Sequence, residues 1–321
     1  MVAITSTETT DIKRPSPRLR RFEDERWLAF ALLFPTAALL GLFIAYPFVR
    51  GVLLSLSDSR VGIEGEFVGL KNFVKIWNDN IFQVAAWNTF WYTGITTVLK
   101  LGLGLWLAML LNRHFKGKAF IRAFVLLPFI IPTVLSTFAW KWMFDPTFSV
   151  INFFLFRLGI TTKQISWLGG PVLALSSVII VNVWRGMPFF AITLLAGLQT
   201  INPTLYEASA MDGANGWQRF WHVTWPLLMP VTMVVVLFSV IMTFADFQLV
   251  YILTGGGPAN TTHLFATYAY QIGIATGKIS EGAAISLAMF PFLFLVVVFQ
   301  LWYIRRGEGV REEKKKGRLG R

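Results

Sequence analysis

Apolar and polar residues in this chain do not alternate on a short period. They segregate into long blocks. Six apolar blocks approach or exceed the roughly 20 residues that a helix, rising about 1.5 Å per residue, needs to cross a hydrocarbon core about 30 Å thick. Trp27–Val49, Ala123–Trp140 and Ala283–Ile304 carry no charge. Ala86–Leu111 carries only Lys100, Val172–Leu195 only Arg185, and Leu227–Leu253 only Asp246. Prolines fall inside several blocks (Pro35, Pro128, Pro132, Pro188, Pro230, Pro291), where neighbouring helices can satisfy the freed carbonyls. The pattern predicts an all-α, polytopic membrane protein with six transmembrane helices. Its expected divisions are an N-terminal tail (1–26), a first helix (27–50), a loop (51–85), a core of five helices (86–304) and a basic C-terminal tail (305–321).

Composition agrees with the block pattern. The 321 residues are 55% apolar, and only 14% are charged, against about a quarter in soluble domains. A soluble fold of this size lacks the charged skin it needs. The net charge of +12 is not a nucleic-acid footprint, because the basic residues do not form one stripe. Six lie in the N-terminal tail (Lys13, Arg14, Arg18, Arg20, Arg21, Arg26). Four lie between the second and third blocks (Arg113, Lys116, Lys118, Arg122), and eight lie after Ile304. The alternate loops are poorer in base. The positive-inside rule therefore puts both termini, and the loop between blocks four and five, in the cytoplasm. The first 26 residues hold no apolar core for a signal peptide, and the C-terminal basic run reads as the positive-inside anchor of the last helix rather than a lipid-binding patch. With no cysteine and three scattered histidines (His114, His222, His263), neither a metal site nor a thiol nucleophile is expected.

The cytoplasmic loop Asn202–Pro230 reads NPTLYEASAMDGANGWQRFWHVTWPLLMP. Asn202 suits an N-cap and Pro203 the first helical turn, where no donor is needed. A short helix over Thr204–Asp212 follows, and Gly213 supplies a left-handed end. Asn215 and Gln218 have capping-box spacing for a second helix, with Pro226 leading into block five. The loop also holds more apolar side chains than a solvated loop would: Leu205, Ala208, Met211, Trp217, Phe220, Trp221 and Trp225. Spacing alone leaves open an interfacial hairpin with no partner.

This segment resembles the EAA signature of ABC importer permeases. Glu207, Ala208 and Ser209 stand for the triplet, Ala210–Asp212 fill the gap, and Gly213 is the glycine. After nine further residues come Val223, Thr224, Trp225 and Pro226. Ser for the third Ala, Val for Ile and Trp for Leu are the departures. The resemblance covers most of the chain from about residue 28 and is strongest to maltose-type carbohydrate permeases. FVGLKNF (Phe67–Phe73), Asn88–Thr89, LPFIIP (Leu127–Pro132), WKWMFDP (Trp140–Pro146), AGLQTINP (Ala196–Pro203) and LTGGGP (Leu253–Pro258) support it by their order.

The resemblance implies a type I ABC importer transmembrane domain in a bacterial inner membrane. It implies four kinds of partner: a second homologous permease, a cytoplasmic ATPase dimer, an extracytoplasmic solute-binding protein and membrane lipid. Nucleic acid is not among them. Glu207, Ala208, Ser209, Asp212 and Gly213 would then dock into the ATPase. The chain itself is read as no enzyme, with no catalytic residues and no cofactor of its own. It has no GxxxxGK[ST] phosphate loop, so ATP belongs to the partner.

Charges inside spans are functional candidates by default. Asp246, with Gln248 and Tyr251, is placed to hydrogen-bond sugar hydroxyls. Arg185, in the run Asn182–Pro188 with Asn182 and Trp184, either meets substrate or pairs with Asp246. Lys100 reads as a snorkelling or paired charge. A stand-alone secondary transporter or channel is the alternative, but the halves show no repeat and it leaves the EAA-like loop unexplained. A membrane enzyme ranks third.

Overall fold

The structure, a computed structural model, describes residues 25–302. The expected basic C-terminal tail, and all but the last two residues of the expected N-terminal tail, lie outside them. The chain divides into two compact units at Leu53/Leu54. The first is built on helix α1 (Trp27–Ser55), which passes through Pro35 and a π-helical turn at Gly41–Ala45. Its large apolar side chains are exposed, as on a helix facing lipid.

The second unit is a helical bundle. Its elements are α2 (Lys71–Trp77), α3 (Asn80–Leu111), α4 (Lys118–Ile130), α5 (Thr133–Met143) and α6 (Val150–Arg157). There follow α7 (Pro171–Gln199), α8 (Pro203–Met211), α9 (Gly216–Phe244), α10 (Gln248–Leu253), α11 (Phe265–Tyr270) and α12 (Ile279–Trp302). No strand forms among the described residues, only isolated bridges at Ser57–Phe67 and Arg60–Ile63. Five helices (α1, α3, α7, α9, α12) are long and apolar enough to span a membrane, and the bent pair α4–α5, counted as one span, brings the number to six.

Two of the expected spans need correcting. Ala123–Trp140 is not one rod: α4 and α5 meet at a bend of 88°. Ile131, ahead of Pro132, adopts φ −61° and ψ 131°, the extended conformation that the following proline ring imposes. Leu227–Leu253 is also interrupted. Helix α9 ends at Phe244, Ala245–Phe247 are not helical, and α10 resumes at Gln248. The second span starts at Asn80, ahead of its apolar block, because Asp79 caps it by accepting from the Ile81 amide at 2.9 Å.

Helix α3 has its polar stripe inside. Asn88, Thr89, Tyr92, Thr93, Thr96, Thr97 and Lys100 recur at helical spacing, and all are buried. Trp87, Trp91, Val98, Leu99 and Trp106 on other faces are exposed. That is the inverse of a soluble amphipathic helix. Thr89 and Thr96 donate to the carbonyls of Ala85 and Tyr92 at 2.7 and 2.6 Å. Asn88 Nδ2 donates to the carbonyls of Thr261 and His263 at 2.7 and 3.2 Å, and the Phe265 amide donates to Thr89 Oγ1 at 3.0 Å. These bonds fasten the loop after LTGGGP to α3. Within that loop Gly256, at φ +90°, leaves room for the buried His263 ring, which a Cβ there would meet at 2.1 Å. Tyr268 donates to Asp79. Burial, then the Asp79 carboxylate, raises the pKa of its hydroxyl above the ordinary value.

Helices α3 and α7 cross closely. A Cβ on Gly104 would lie 2.5 Å from Phe190 Cβ, so the backbones approach as only glycine permits. Ala108, Leu111, Leu194, Leu198, Ile201 and Leu228 form one core cluster, which places the ends of α3 and α7 and the start of α9 at one end of the bundle. Phe82, Ala85, Phe265, Ala284 and Ile285 form another cluster at the opposite end. Gly104→Ala is expected to cost about 1–3 kcal/mol by overpacking. Gly102→Ala, whose Cβ meets nothing within 4 Å, serves as the control. Thermal denaturation of the detergent-purified protein compares them, and equal melting temperatures would contradict the close crossing.

Candidate functional site

Both interrupted spans face one cavity of about 540 Å³. Phe129 and Thr133 flank it from the α4–α5 bend, and Ala245–Gln248 from the break after α9. Helix α7 contributes Asn182, Arg185, Gly186 and Phe189, and α3 contributes Lys100. Non-helical backbone at membrane depth is tolerated where it lines a polar cavity, and the break at Ala245–Phe247 meets that condition.

A chain of hydrogen bonds crosses the site. Lys100, 4% exposed, donates from Nζ to Asn182 Oδ1 and Thr243 Oγ1, both at 2.9 Å. Asn182 Nδ2 donates to Asp246 Oδ2 at 3.1 Å, and the Tyr92 hydroxyl donates to the same oxygen at 2.7 Å. The Leu249 amide reaches Asp246 Oδ1 at 3.4 Å. Asn182 thus shows its carbonyl to the ammonium and its amino group to the carboxylate. The reverse orientation would oppose donor to donor and acceptor to acceptor. Gly186 makes room for the lysine stem, since a Cβ there would sit 2.5 Å from Lys100 Cδ. A lone charge at mid-membrane costs roughly 2.5–3.5 kcal/mol on insertion scales, and this network offsets part of that for Lys100 and Asp246.

Asp246, Gln248, Arg185 and Asn182 therefore come together around one space. Trp184 and Tyr251 do not line it. Trp184 packs edge-on against Trp140, with centroids 5.4 Å apart. Tyr251 stacks on Phe247 at 4.9 Å and meets Tyr270 edge-on at 5.1 Å. No ion pair joins Arg185 to Asp246; among the described residues the salt bridge is Lys75–Glu281 at 2.6 Å. Lys100 is held inside the bundle instead of snorkelling. Tyr92, Ser239, Thr243 and Gly186 were missing from the sequence-based set. The stripe spacing Tyr92–Thr96–Lys100 was the available signal for the first of them.

The loop residues form a second site at the end of the bundle where α3 and α7 finish. Asn202 accepts from the Thr204 amide at 3.1 Å, and α8 runs Pro203–Met211. Gly213 takes φ +78°. The Asn215–Gln218 capping box is complete, each side chain bonding the other residue's amide at 2.9 Å. The second helix is the start of α9, which passes through a π-helical turn at Phe220–Thr224 and on past Pro226. Tyr206 anchors the hairpin by pairing its hydroxyl with Thr224 Oγ1 at 3.1 Å. Glu207, Ala208, Asp212 and Gly213 are exposed and Ser209 is half-buried. Apolar Met211 and Trp217 are 89% and 71% exposed. Ser209, Asp212, Gly213, Gln218, Arg219 and His222 edge a shallow groove here.

Comparison with known proteins agrees with this architecture. Residues 100–307 match the family described as binding-protein-dependent transport system inner membrane component. The chain is 36% identical to the sulfoquinovosyl glycerol transport system permease protein SmoG of Agrobacterium fabrum, over 90% of this chain and 94% of that one. It is 33% identical to the trehalose/maltose transport system permease protein MalF of Thermococcus litoralis, over 90% and 96%. In fold it is similar to a chain of a crystallised bacterial ABC transporter involved in import of the acidic polysaccharide alginate. That match has a TM-score of 0.78 and 23% identity, and covers 90% of this chain and 99% of the other. The apolar spans, the helical bundle and these matches converge: the chain belongs to the ABC importer permeases, the inner membrane components of binding-protein-dependent transport systems.

Proposed function

We propose that this chain forms half of the translocation pathway of an ATP-driven importer for a sugar or related polar solute. In this reading it couples to a cytoplasmic ATPase dimer through Glu207–Gly213. A second, homologous permease supplies the other half of the pathway, and an extracytoplasmic binding protein delivers solute. Hydrolysis of ATP resides in the ATPase subunits. Both termini and the α7–α9 hairpin face the cytoplasm, as the distribution of Lys and Arg indicates. The sugar assignment is supported by the substrates named for SmoG and MalF.

The observation that carries the reading is the hairpin. A helix of nine residues is capped at its start, turned by a left-handed glycine and pinned by Tyr206. Yet it presents a carboxylate and large apolar side chains outward. An exposed Met211 and Trp217 beside an exposed Glu207 suit a protein groove better than water. Glu207 would meet donors of the ATPase, and a charge-assisted contact is the stronger kind. The polar cavity between the broken spans is the corresponding solute path.

Glu207→Ala or Glu207→Lys is expected to weaken co-purification of the ATPase by about ten- to hundredfold, the equivalent of about 1.5–3 kcal/mol for a hydrogen bond to a charged group. ATP-coupled uptake should fall with it. Normal uptake by an intact complex would refute the coupling assignment. At Gly213 a Cβ has open space, so only backbone conformation resists substitution. Gly213→Val should reduce uptake and stability by about 1–2 kcal/mol, whereas Gly213→Asn, which tolerates the left-handed region, should be mild. Uptake assays and melting curves of the two variants side by side test this, and equal behaviour would remove the conformational argument.

A further inference from the structure

The inference below rests on the cavity being the solute path. Its lining carries two cations, Lys100 and Arg185, and one anion, Asp246. The acceptors around Lys100 and Asp246 are engaged. Asp246 already receives three donors, from Tyr92, Asn182 and Leu249. A carboxylate offers about four lone-pair sites. Asn182 Oδ1 and Thr243 Oγ1 receive Lys100. The donors are not engaged to the same degree. Arg185 makes no hydrogen bond or ion pair with the described residues, and its Nε is buried without a partner. Ser239 Oγ, 5% exposed, also lacks one. Both side chains line the cavity. Arg185 is not spent on internal pairing, because Asp246 is bound by other groups.

We propose that the transported solute is anionic: a sugar-type molecule whose carboxylate, sulfonate or phosphate is received by Arg185, with Ser239 as an additional donor. A neutral polyol donates as readily as it accepts, and around Asp246 its hydroxyl protons would compete for acceptors already engaged. An anionic group only accepts, and the planar guanidinium fork matches such oxygens in pairs. The site then gains a counter-charge for its surplus cation on solute entry and loses it on exit. Buried donors without partners are unfavourable, and the solute resolves two of them at once.

The test uses the complete native transporter in proteoliposomes, with ATP inside and a panel of neutral hexoses and hexosides set against the matching uronates, 6-sulfonates and 6-phosphates. At least one acidic member should be taken up tenfold or more above its neutral parent. Arg185→Gln should lower that acid-to-neutral ratio at least tenfold, and Arg185→Lys should keep part of it. Ser239→Ala should lower the ratio severalfold and serves as the second probe where Arg185→Gln fails to assemble with the ATPase. Neutral members carried as fast as their acids overturn the proposal but leave the transport reading intact. So do ratios unmoved by both Arg185→Gln and Ser239→Ala. ATP-driven uptake of no member overturns both.

Discussion

Lys100 and Asp246 are opposite charges inside an apolar bundle, and they do not form an ion pair. Asn182 stands between them, accepting from one and donating to the other. In a medium without water each charge must find its partners within the protein. The three elements that carry these groups are therefore held to one register: α3 by Lys100 and Tyr92, α7 by Asn182, and the interruption after α9 by Thr243 and Asp246. The interruption is part of the solution. A continuous helix would leave the Asp246 side chain without the Leu249 amide, which it accepts across the start of α10, as a capping carboxylate does. The polar cavity is the space this arrangement leaves open.

The same absence of water changes how the bundle is held together. Lipid tails are as apolar as leucine, so burying more apolar surface does not draw helices together as it does in water. Close approach and internal polar bonds take that role. Gly104 against Phe190, Gly197 against Leu228 and Gly282 against Gly273 leave no room for a Cβ. The buried stripe of Asn88, Thr89 and Tyr92 ties α3 to the loop at Thr261–Phe265 and to Asp246. Two stretches that are separate in sequence, Asn88–Thr89 and LTGGGP with the residues after it, are thus parts of one fastening.

Local chemistry was legible in the sequence, and long-range compensation was not. The cap at Asn202, the left-handed Gly213 and the Asn215–Gln218 box each depend on residues at most three positions apart, and each appears in the structure. The bend at Ile131–Pro132 was harder to foresee, because Pro35, Pro128, Pro188 and Pro230 lie inside continuous helices. Whether a proline breaks or merely interrupts the ladder is decided by what satisfies the freed backbone, and that is set by other spans. The stop at Phe244 has neither proline nor glycine beside it and follows from Asp246 finding Tyr92 and Asn182, 154 and 64 positions away. Arg185 and Asp246 were legible as charges in apolar runs. That they do not pair with each other was not, since Tyr92 and Asn182 occupy the carboxylate. Trp184 and Tyr251 were suggested by residue type alone, and aromatic neighbours claim both.

The connectivity also bears on how the hairpin and the cavity communicate. Helix α7 carries Asn182, Arg185 and Gly186 and then runs to Gln199, a further 13 residues or about 20 Å, before turning into α8. Helix α9 starts at the hairpin and ends at Thr243 and Phe244, beside Asp246. The hairpin is therefore the direct link between two rods whose far portions line the cavity. Under the proposed coupling role, a displacement of α8 passes through the short turns at 200–202 and 212–215 and then along the helix backbone of α7 and α9 to the cavity. Each rod contains a place to bend: Pro188 in α7, next to the cavity, and the π-helical turn Phe220–Thr224 at the base of α9. Such features are the usual causes of kinks. In α7 the bend lies between the hairpin and Arg185, and in α9 it lies at the hairpin itself. Moving the hairpin would consequently swing the whole length of α9, while α7 would flex near Pro188. The cavity, lined by both, would change shape through the difference between the two motions.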